Sequence, residues 1–349
     1  MQADRPLTPA ALQPVRPPLI DTFGRRHTYL RVSITERCNL RCLYCMPAAG
    51  IPLKPREDLL TFEEIIRLVR VFARLGIDKV RLTGGEPLVR RGVEGLVREL
   101  AAIAGIGTVA MSTNGVLLAE KAAELRAAGL SRLNISLDTL RPERFERIAL
   151  RRNFEQVMGG IEAALAAGFA PLKLNCVVMR GINDDELTDF VEFARTRPIQ
   201  MRLIEFMPFH GNAWSGDKLV SYGEMRTALE RDYRLEPAAG EDGASNVARE
   251  FTVTDRRGRR LAGSVGFITS MTRDFCGACS RLRLTADGSI KSCLLHPAEA
   301  SLRDALRAGA GDEELERRIR RAVSLKPYGH EPMGAIDAER NRSMTAIGG

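Results

Sequence analysis

The sequence predicts an α/β protein built on an incomplete (β/α)6 TIM-type barrel, with a smaller region at its C-terminal end. From residue 29 onwards, six short runs rich in β-branched residues alternate with amphipathic segments, which is typical of βαβ units on a parallel sheet. After about residue 215 this alternation stops, and charged or Gly-rich stretches separate shorter strands. The 349 residues, 44% hydrophobic and 28% charged, supply a sizeable core and exclude collagen-like, mucin-like and wholly disordered proteins.

The barrel strands follow from the β-branched runs, and the helices between them from apolar residues that recur at helical spacing. Predicted strands cover residues 29–35, 79–83, 108–112, 132–137, 172–179 and 200–206. Thr61 and Glu64 have the spacing of a capping box, which predicts a helix that ends near Gly76. Later helices are predicted over residues 117–128, 154–167 and 184–195, each followed by a glycine or a proline.

Beyond the barrel, we predict a helix over residues 221–231, strands near 249–254, 261–267 and 281–294, and helices over 302–307 and 312–323. The chain then divides into four parts. They are a flexible Pro-rich extension (1–21), the barrel (22–215), a C-terminal region (216–325) and a tail (326–349) that ends in Gly348-Gly349. Prolines crowd the first twenty residues, so we leave the extension out of the fold.

Charge and cysteine content narrow the function classes. The formal net charge of +8 suits a polyanionic small molecule, such as a nucleotide, as well as a nucleic acid. No run approaches the roughly 18 apolar residues that span a bilayer, and no signal peptide is evident, so we expect a cytoplasmic protein that uses no membrane. Thiols are kept reduced in that compartment, so the seven cysteines predict metal or redox chemistry rather than disulfides.

A first cysteine group follows the first predicted strand. Cys38, Cys42 and Cys45 are spaced Cys-x3-Cys-x2-Cys on a loop at the end of a barrel strand where active sites are expected. A structural zinc site takes four ligands, whereas three thiolates on a four-iron cluster leave one iron open for another ligand. Residues 84–87 (GGEP) end the second strand, and glycines there permit a close approach of backbone to a ligand.

A second cysteine group lies in the C-terminal region. Cys276, Cys279 and Cys293 are followed three residues later by His296, so by spacing a Cys3His zinc site and a second iron-sulfur cluster with an open iron both remain candidates. Between the cysteines, Arg281 and Arg283 alternate on a predicted strand, which directs both side chains to one face in a geometry suited to phosphate. The sequence contains no P-loop motif, so separate side chains would bind any phosphate.

Taken together, the motifs resemble those of the radical S-adenosylmethionine (SAM) superfamily and, within it, the GTP 3′,8-cyclase (MoaA) family of molybdenum cofactor biosynthesis. The resemblance runs from about residue 22 to residue 349. The motifs on which it rests are residues 35–42 (TERCNLRC), 44–47 (YCMP), 81–88 (RLTGGEPL), 112–115 (STNG), 134–138 (NISLD), 181–184 (GIND), 204–207 (IEFM), the segment around Cys276 and the final Gly-Gly. This resemblance favours iron-sulfur over zinc at the second cysteine group.

The resemblance implies two [4Fe-4S] clusters, one on Cys38, Cys42 and Cys45 with SAM at its open iron, the other on Cys276, Cys279 and Cys293 with substrate at its open iron. The reduced first cluster would cleave SAM to a 5′-deoxyadenosyl radical that removes H3′ of GTP. C3′ would then attack guanine C8 and, after reduction, give (8S)-3′,8-cyclo-7,8-dihydroguanosine 5′-triphosphate, the first step of molybdenum cofactor (molybdopterin) biosynthesis. No side chain is implied as a catalytic residue beyond the cluster-bound SAM.

The resemblance also assigns binding residues and partners. SAM contacts are implied at Tyr44, Gly85, Ser136 and Met207. GTP contacts are implied at Arg31, Arg81, Ser112, Lys173, Arg281, Leu282 and Arg283. Arg31 and Lys173 lie within predicted strands, so their side chains must point inward for this assignment to hold. A reducing electron donor and cyclic pyranopterin monophosphate synthase, which takes the product, are the implied partners, and a homodimer stays open as the assembly.

Two other functions remain to be tested. A peptide-modifying radical SAM enzyme with an auxiliary cluster would share the first cysteine group and the GGEP segment, but it would not need a set of cations around a polyphosphate. A metal-binding nucleic-acid-binding protein would fit the positive charge. Aromatic residues make up only 5% of the chain, which does not favour base stacking, so we expect no nucleic-acid partner.

Overall fold

A parallel sheet of six strands forms the barrel in the computed structural model, which describes residues 16–238, 247–297, 300–338 and 341–348. The strands are β1 (Tyr29–Ser33), β2 (Lys79–Thr83), β3 (Thr108–Thr113), β4 (Arg132–Ser136), β5 (Leu172–Val178) and β6 (Ile199–Glu205). Each pairs in parallel with the next along the chain. The predicted incomplete (β/α)6 barrel is therefore confirmed, with strand ends that differ by one or two residues.

Helices follow the strands and cover the outside of the sheet. They are α1 (Phe62–Arg74), α2 (Val93–Ala101), α3 (Ala122–Ala127), α4 (Pro142–Ala149), α5 (Phe154–Ala166) and α6 (Leu187–Phe193). The capping box before α1 is confirmed, since the Glu64 amide donates to the Thr61 hydroxyl at 3.2 Å. Helix α3 begins later than predicted because the chain leaves Gly115 in two tight turns, with amide-to-carbonyl bonds from Leu118 to Gly115 and from Lys121 to Leu118.

The C-terminal region adds strands to both edges of the same sheet. Its elements are α7 (Tyr222–Glu230), β7 (Tyr233–Pro237), β8 (Arg249–Asp255), β9 (Arg260–Ile268), β10 (Arg281–Leu284), β11 (Ser289–Lys291), β12 (Ala300–Ser301), α8 (Leu302–Arg307), α9 (Asp312–Ser324) and α10 (Met344–Ile347). The described residues form a 12-stranded sheet in the order β12-β11-β10-β1-β2-β3-β4-β5-β6-β9-β8-β7. Strand β10 pairs in parallel with β1, and β9 with β6, so this region extends the barrel wall.

Strand alternation separates the core from the barrel interior. In β1, Leu30 and Val32 are fully buried in the hydrophobic core, while Tyr29 and Arg31 line the interior cavity. The same alternation in the other strands places a layer of Leu, Ile and Val between sheet and helices. Cavity-facing positions are thereby left free for polar side chains.

Both ends of the described chain pack against the barrel. The predicted flexible extension over residues 1–21 needs correction at its C-terminal end, because Leu19 is buried and its amide donates to the Leu75 carbonyl at 3.1 Å. Residues 1–15 lie outside the described residues. At the other end Gly348 is buried against Ser33 and Thr83 at the ends of β1 and β2, while Gly349 is not among the described residues. Within the described ranges, no helix has the length and apolar composition needed to cross a bilayer.

Candidate active site

One cavity at the C-terminal ends of the barrel strands contains every residue of both cysteine groups. Its lining includes Cys38, Cys42, Cys45, Cys276, Cys279 and Cys293. The first three, the first triad, lie on the loop after β1; the other three, the second triad, lie in the turn before β10 and just after β11. The pairing of β10 with β1 is what brings groups more than 200 residues apart to the same cavity.

The GGEP segment holds the loop of the first triad. The Gly85 amide donates to the Thr35 carbonyl and the Glu86 amide to the Arg37 carbonyl, both at 2.8 Å. A Cβ at Gly85 would lie 2.4 Å from the Arg37 oxygen, which no side chain could tolerate. This glycine therefore permits a close approach of two backbone segments, in addition to any approach of a ligand.

Glu86 ties the same loop to the end of β3. Its buried carboxylate accepts hydrogen bonds from the Leu88 amide (2.9 Å), the Thr113 hydroxyl (2.7 Å) and the Asn114 amide (2.7 Å). Burial raises the pKa of Glu86 to about 7 in spite of these bonds. The Asn114 side chain in turn donates to the Cys38 sulfur at 3.8 Å, so the 84–87 and 112–115 motifs form one support for the first triad.

The chemistry of the first triad suits a thiophilic metal. Burial raises the pKa of Cys38, Cys42 and Cys45, and for Cys42 and Cys45 the neighbouring sulfurs raise it further. Three thiols that oppose one another's ionisation are an unfavourable arrangement on their own, and a bound metal removes the difficulty because its positive charge stabilises the thiolates. These cysteines therefore fit the three-thiolate cluster that the sequence predicts.

The second triad has a different electrostatic environment. Burial raises the pKa of Cys276 to about 11. Burial also raises the pKa of Cys279, but the positive charges of Arg281 and Lys326 outweigh it and lower that pKa to about 6. The Lys326 ammonium donates to the Cys279 sulfur at 3.3 Å. The second triad thus also fits a thiolate-bound metal.

The zinc alternative for the second triad required His296. Within the part of the chain that the structure describes, the cavity lining does not include His296. The histidine beside Cys276 is His330, whose Nε2 lies 2.8 Å from the Ser270 carbonyl and whose Nδ1 lies 2.6 Å from the Glu331 carbonyl. The predicted Cys3His set is therefore not assembled, and His296 plays no part in the cavity.

Arginines in register on three neighbouring strands form a basic wall of the cavity. Arg31 on β1 pairs with Arg81 on β2 and with Arg283 on β10, which sets successive guanidinium-bearing residues about 4.8 Å apart across the sheet. Burial and the charge of Arg31 lower the pKa of Arg283 to about 9. Arg281, two positions before it, stacks on the Phe275 ring at 4.7 Å.

Other predicted GTP residues lie around this wall. Lys173 lines the cavity from β5, so its side chain and that of Arg31 do point inward. Burial is the main cause that lowers the pKa of Lys173 to about 8, and the positive charge of Arg202 is the second cause. Ser112 accepts a hydrogen bond from Arg81 at 3.3 Å. The predicted contact at Leu282 is corrected: its side chain is buried in the hydrophobic core, because strand alternation turns it away from the cavity face of Arg281 and Arg283.

Tyr29, Lys79 and Arg202 are among the polar residues of the cavity that sequence reasoning missed. Arg81 donates to the Tyr29 hydroxyl at 2.5 Å, and the Lys79 ammonium lies 4.7 Å from the centre of the Tyr29 ring. Lys79 and Tyr29 share strand faces with Arg81 and Arg31, so alternation within predicted strands was a usable signal for both. Arg202 stands alone in its strand and gives no such signal.

The four predicted SAM residues all line the cavity. They are Tyr44, Gly85, Ser136 and Met207. Asn212 connects two of them, since its side-chain amide donates to the carbonyls of Tyr44 (3.2 Å) and Met207 (2.9 Å). Tyr44 also forms a side-chain hydrogen bond with Asp138, whose pKa burial raises to about 6.

Several buried polar atoms of the cavity have no partner among the described residues. Among them are Arg283 Nε, Asn134 Oδ1, Asn175 Oδ1 and Thr83 Oγ1. Buried polar atoms in proteins are nearly always hydrogen bonded, to protein, water or ligand. Their position in the cavity fits a polar ligand with both hydrogen-bond donors and acceptors.

Comparison with known proteins adds independent information. Residues 32–194 match the family model described as Radical SAM superfamily, and residues 199–332 match the model Molybdenum Cofactor Synthesis C. The GTP 3′,8-cyclase of Moorella thermoacetica is 50% identical over 94% of this chain and 99% of that protein, and the mitochondrial GTP 3′,8-cyclase of Arabidopsis thaliana is 48% identical over 96% and 85%.

Molybdenum cofactor biosynthesis protein 1 of Bos taurus is 51% identical over 94% of the chain, but the chain spans about half the length of this relative (51%). Among solved structures, Streptococcus suis SuiB bound to S-adenosylmethionine covers 92% of the chain at a TM-score of 0.57 and 15% identity, with 77% of SuiB covered. At that identity the likeness concerns the fold alone.

Proposed function

The chain belongs to the GTP 3′,8-cyclase family of the radical SAM superfamily, and from this membership we propose that it converts GTP into (8S)-3′,8-cyclo-7,8-dihydroguanosine 5′-triphosphate. This reaction is the first step of molybdenum cofactor biosynthesis. The observation that carries the proposal is the single cavity that combines two cysteine triads with arginines in register on β2, β1 and β10.

Two [4Fe-4S] clusters are the cofactors, with SAM as the co-substrate. We assign the first cluster to Cys38, Cys42 and Cys45 and the second to Cys276, Cys279 and Cys293. When bound, the first cluster and SAM supply the carbon radical that takes a hydrogen atom from C3′ of the substrate. In both triads three thiolates leave one iron for a further ligand, SAM at the first and the guanine of GTP at the second.

The basic wall binds the triphosphate in this proposal. GTP brings about four negative charges, and Arg31, Arg81 and Arg283 present guanidinium groups, a cation type that is well suited to phosphate. Lys173 adds a cation from β5, and Arg281 one from the start of β10. A substrate held on one wall keeps its ribose in a fixed position relative to both triads, and this positioning is the main task of the protein.

SAM contacts are proposed at Tyr44, Gly85, Ser136 and Met207, all at the same cavity. No general base is needed for ring closure by a radical. The acidic groups near the first triad already have structural tasks, since Asp138 accepts from the Val177 amide at 2.9 Å and Glu86 supports the loop. We therefore propose no side chain as an acid or base catalyst.

The remaining assignments are part of the same proposal. The electrons come from a separate reducing donor, and the product passes to cyclic pyranopterin monophosphate synthase in the cytoplasm. We further propose that the barrel (22–215) cleaves SAM and supplies part of the GTP site, and that the C-terminal region (216–325), followed by the tail (326–349), carries the second cluster and the rest of the GTP site. The two family models also divide the chain into two parts, with their boundary between residues 194 and 199 rather than at residue 215.

The deciding experiment is anaerobic turnover of the reconstituted and reduced protein with SAM and GTP deuterated at C3′. Deuterium in the 5′-deoxyadenosine, together with an isomer of GTP, is the expected result. Cys42→Ala should yield neither product, while Cys176→Ala, a buried cysteine of neither triad, is the matched control and should yield both.

Other outcomes of this experiment would support one of the two alternative functions. Cleavage of SAM without deuterium transfer would remove GTP as the substrate and favour a peptide-modifying enzyme. No cleavage by protein with an intact first cluster, together with salt-sensitive binding of DNA or RNA, would favour a nucleic-acid-binding protein instead.

A further inference from the structure

A buried lysine lies directly beside the second triad. Lys326 follows α9 and is only 3% exposed. Its ammonium group donates to the Cys279 sulfur at 3.3 Å and to the Arg281 carbonyl at 2.8 Å. It therefore connects the tail of the chain both to a cysteine of the second triad and to the beginning of β10.

The Cys279 sulfur is the group that can compensate the positive charge of Lys326. Within the described ranges, no carboxylate lies at ion-pair distance from this ammonium. A buried ammonium is costly unless a negative group compensates it. The thiolate of Cys279 is the anionic group in contact with it.

The segment that carries Lys326 is held by a different residue. The Arg25 guanidinium donates to the carbonyls of Cys276 and Pro327, both at 2.7 Å, and it is itself paired with the buried Asp21 at 2.6 Å. The Arg25 side chain also donates to the Tyr328 carbonyl. Lys326 can therefore lose its charge while Arg25 keeps the backbone of residues 326–328 against the second triad.

The first triad has no equivalent. The polar side chains that reach its sulfurs are neutral: the Asn114 amide lies 3.8 Å from the Cys38 sulfur, and the Tyr44 side chain hydrogen bonds to Cys42. Arg41, the cation on the same loop, donates instead to the backbone carbonyls of Cys38 (2.7 Å) and Leu40 (2.8 Å). Among the described contacts, a hydrogen bond from a charged group to a cysteine sulfur is thus a property of the second triad.

We propose that Lys326 raises the reduction potential of the second [4Fe-4S] cluster above the value that the same ligands would give without it. The proposal rests on the proposed function, because it takes Cys276, Cys279 and Cys293 as the cluster ligands. Reduction adds one negative charge to the cluster, and a cation beside a ligand sulfur stabilises the reduced form more than the oxidised form. Hydrogen bonds to cluster sulfurs and local charge are among the main determinants of cluster potential.

The test is an anaerobic redox titration of the holoenzyme followed by electron paramagnetic resonance. The signal that changes on addition of SAM marks the first cluster, and the signal that changes on addition of GTP marks the second. Lys326→Met removes the charge and the donor, Lys326→Gln keeps a donor without charge, and Lys326→Arg keeps both. Lys218→Met, a surface lysine bonded to the Ala213 carbonyl, is the control for loss of one positive charge.

We expect Lys326→Met to shift the second cluster to lower potential, Lys326→Gln to shift it less, and Lys326→Arg and Lys218→Met to leave it in place. The first cluster should keep its potential in all four proteins. An unchanged second cluster in Lys326→Met, or equal shifts of both clusters, would overturn the proposal. If Lys326→Met lost the second cluster altogether, an unshifted potential in Lys326→Gln would overturn it equally.

Failure of the proposed function would look different. If GTP is not the substrate, no signal of the unaltered protein will respond to GTP; if the second triad holds no cluster, the unaltered protein will bind iron and sulfide for one cluster only. That result would concern the assignment of the second triad itself, before any lysine variant is compared.

Discussion

The two cysteine triads line one cavity but are built in opposite ways. The first triad is local: eight consecutive residues carry it, and backbone hydrogen bonds from Gly85 and Glu86 hold its loop. The second is assembled from a turn, the end of β11 and the tail that carries Lys326. Burial, neighbouring sulfurs and the Asp138 carboxylate disfavour the thiolates of Cys42 and Cys45 in the first triad, whereas the charges of Arg281 and Lys326 favour the thiolate of Cys279 in the second. One fold can thus hold two similar cofactors in different environments, because the barrel supplies the ligands of one and the C-terminal region supplies the ligands of the other.

The largest expected effect comes from removing one ligand of either triad. Cys42→Ala should abolish SAM cleavage, because it removes a ligand of the cluster that supplies the radical. Cys293→Ala should retain SAM cleavage and lose formation of the cyclised nucleotide, because the first triad does not depend on β11. The measurements are 5′-deoxyadenosine, cyclised nucleotide and bound iron per chain, with Cys176→Ala as control. Full loss of SAM cleavage in Cys293→Ala with an intact first cluster would show that the two triads are not separable.

The next effect concerns the basic wall beside the second triad. Arg283→Ala and Arg281→Ala should each weaken GTP binding roughly 10- to 100-fold, since a charge-assisted hydrogen bond contributes about 1.5–3 kcal/mol. Binding is measured by anaerobic calorimetry, and the iron content of the first cluster should not change. Arg234→Ala on the exposed side of β7 is the matched control. Undiminished GTP affinity in both variants would refute the assignment of these arginines.

A smaller effect is expected at Gly348, where the tail meets the strands of the first triad. Gly348 has a φ of +81°, and a Cβ there would lie 2.6 Å from the Thr83 hydroxyl and 2.7 Å from the Ser33 Cβ. Gly348→Ala should displace the tail and lower turnover several-fold, because both the backbone strain and the clash oppose the native position. Gly309→Ala is a close control, with a φ of +85° and no atom near the added Cβ. Equal turnover in the two variants would show that the contact of the tail with β1 and β2 does not affect turnover.

The contrast between the triads also explains what the sequence could predict. Local patterns were sufficient for the barrel strands, the Thr61 capping box and the first triad, since each depends on residues close together in the chain. Helix α4 was not predicted although Phe145 and Ile148 form a short apolar stripe behind Pro142. The two-residue period of a strand places Lys79 on the same face as Arg81, so the sequence contains the signal for Lys79. The same period turns the Leu282 side chain away from the face of Arg281 and Arg283, whereas the family resemblance implies a GTP contact at Leu282.

Most of the features that the sequence did not predict depend on contacts between segments that are far apart in the chain. That β10 pairs with β1, and so sets Arg283 beside Arg31, depends on contacts between segments about 250 residues apart. The contact of Lys326 with Cys279 joins the tail to a turn 47 positions earlier, and no spacing rule connects them. A lone arginine such as Arg202 carries no local signal of a cavity. The roles of Arg283, Lys326 and Arg202 in the cavity can be recognised only from the three-dimensional structure.

The smallest expected effect is a pH dependence of GTP binding through Lys173, on the wall opposite β10. Its pKa is lowered to about 8 by burial, and next by the charge of Arg202. A bound triphosphate favours the charged amine, so the pKa of Lys173 must be higher in the complex than in the free protein. Affinity should therefore be complete below pH 8 and fall by less than tenfold per pH unit above it, with proton uptake on binding. Calorimetry in two buffers of different ionisation enthalpy measures that uptake.

Lys173→Arg separates this lysine from the other cations of the cavity. An arginine keeps its charge above pH 8, so the variant should bind GTP with a flatter pH profile and less proton uptake, even if its affinity at pH 7 is somewhat altered. Arg283, whose pKa burial lowers to about 9, remains in the variant and accounts for any residual slope at higher pH. Identical slopes between pH 8 and 9 in both proteins would mean that Lys173 does not meet the phosphates, and that the triphosphate lies wholly against β2, β1 and β10, on the side of the second triad.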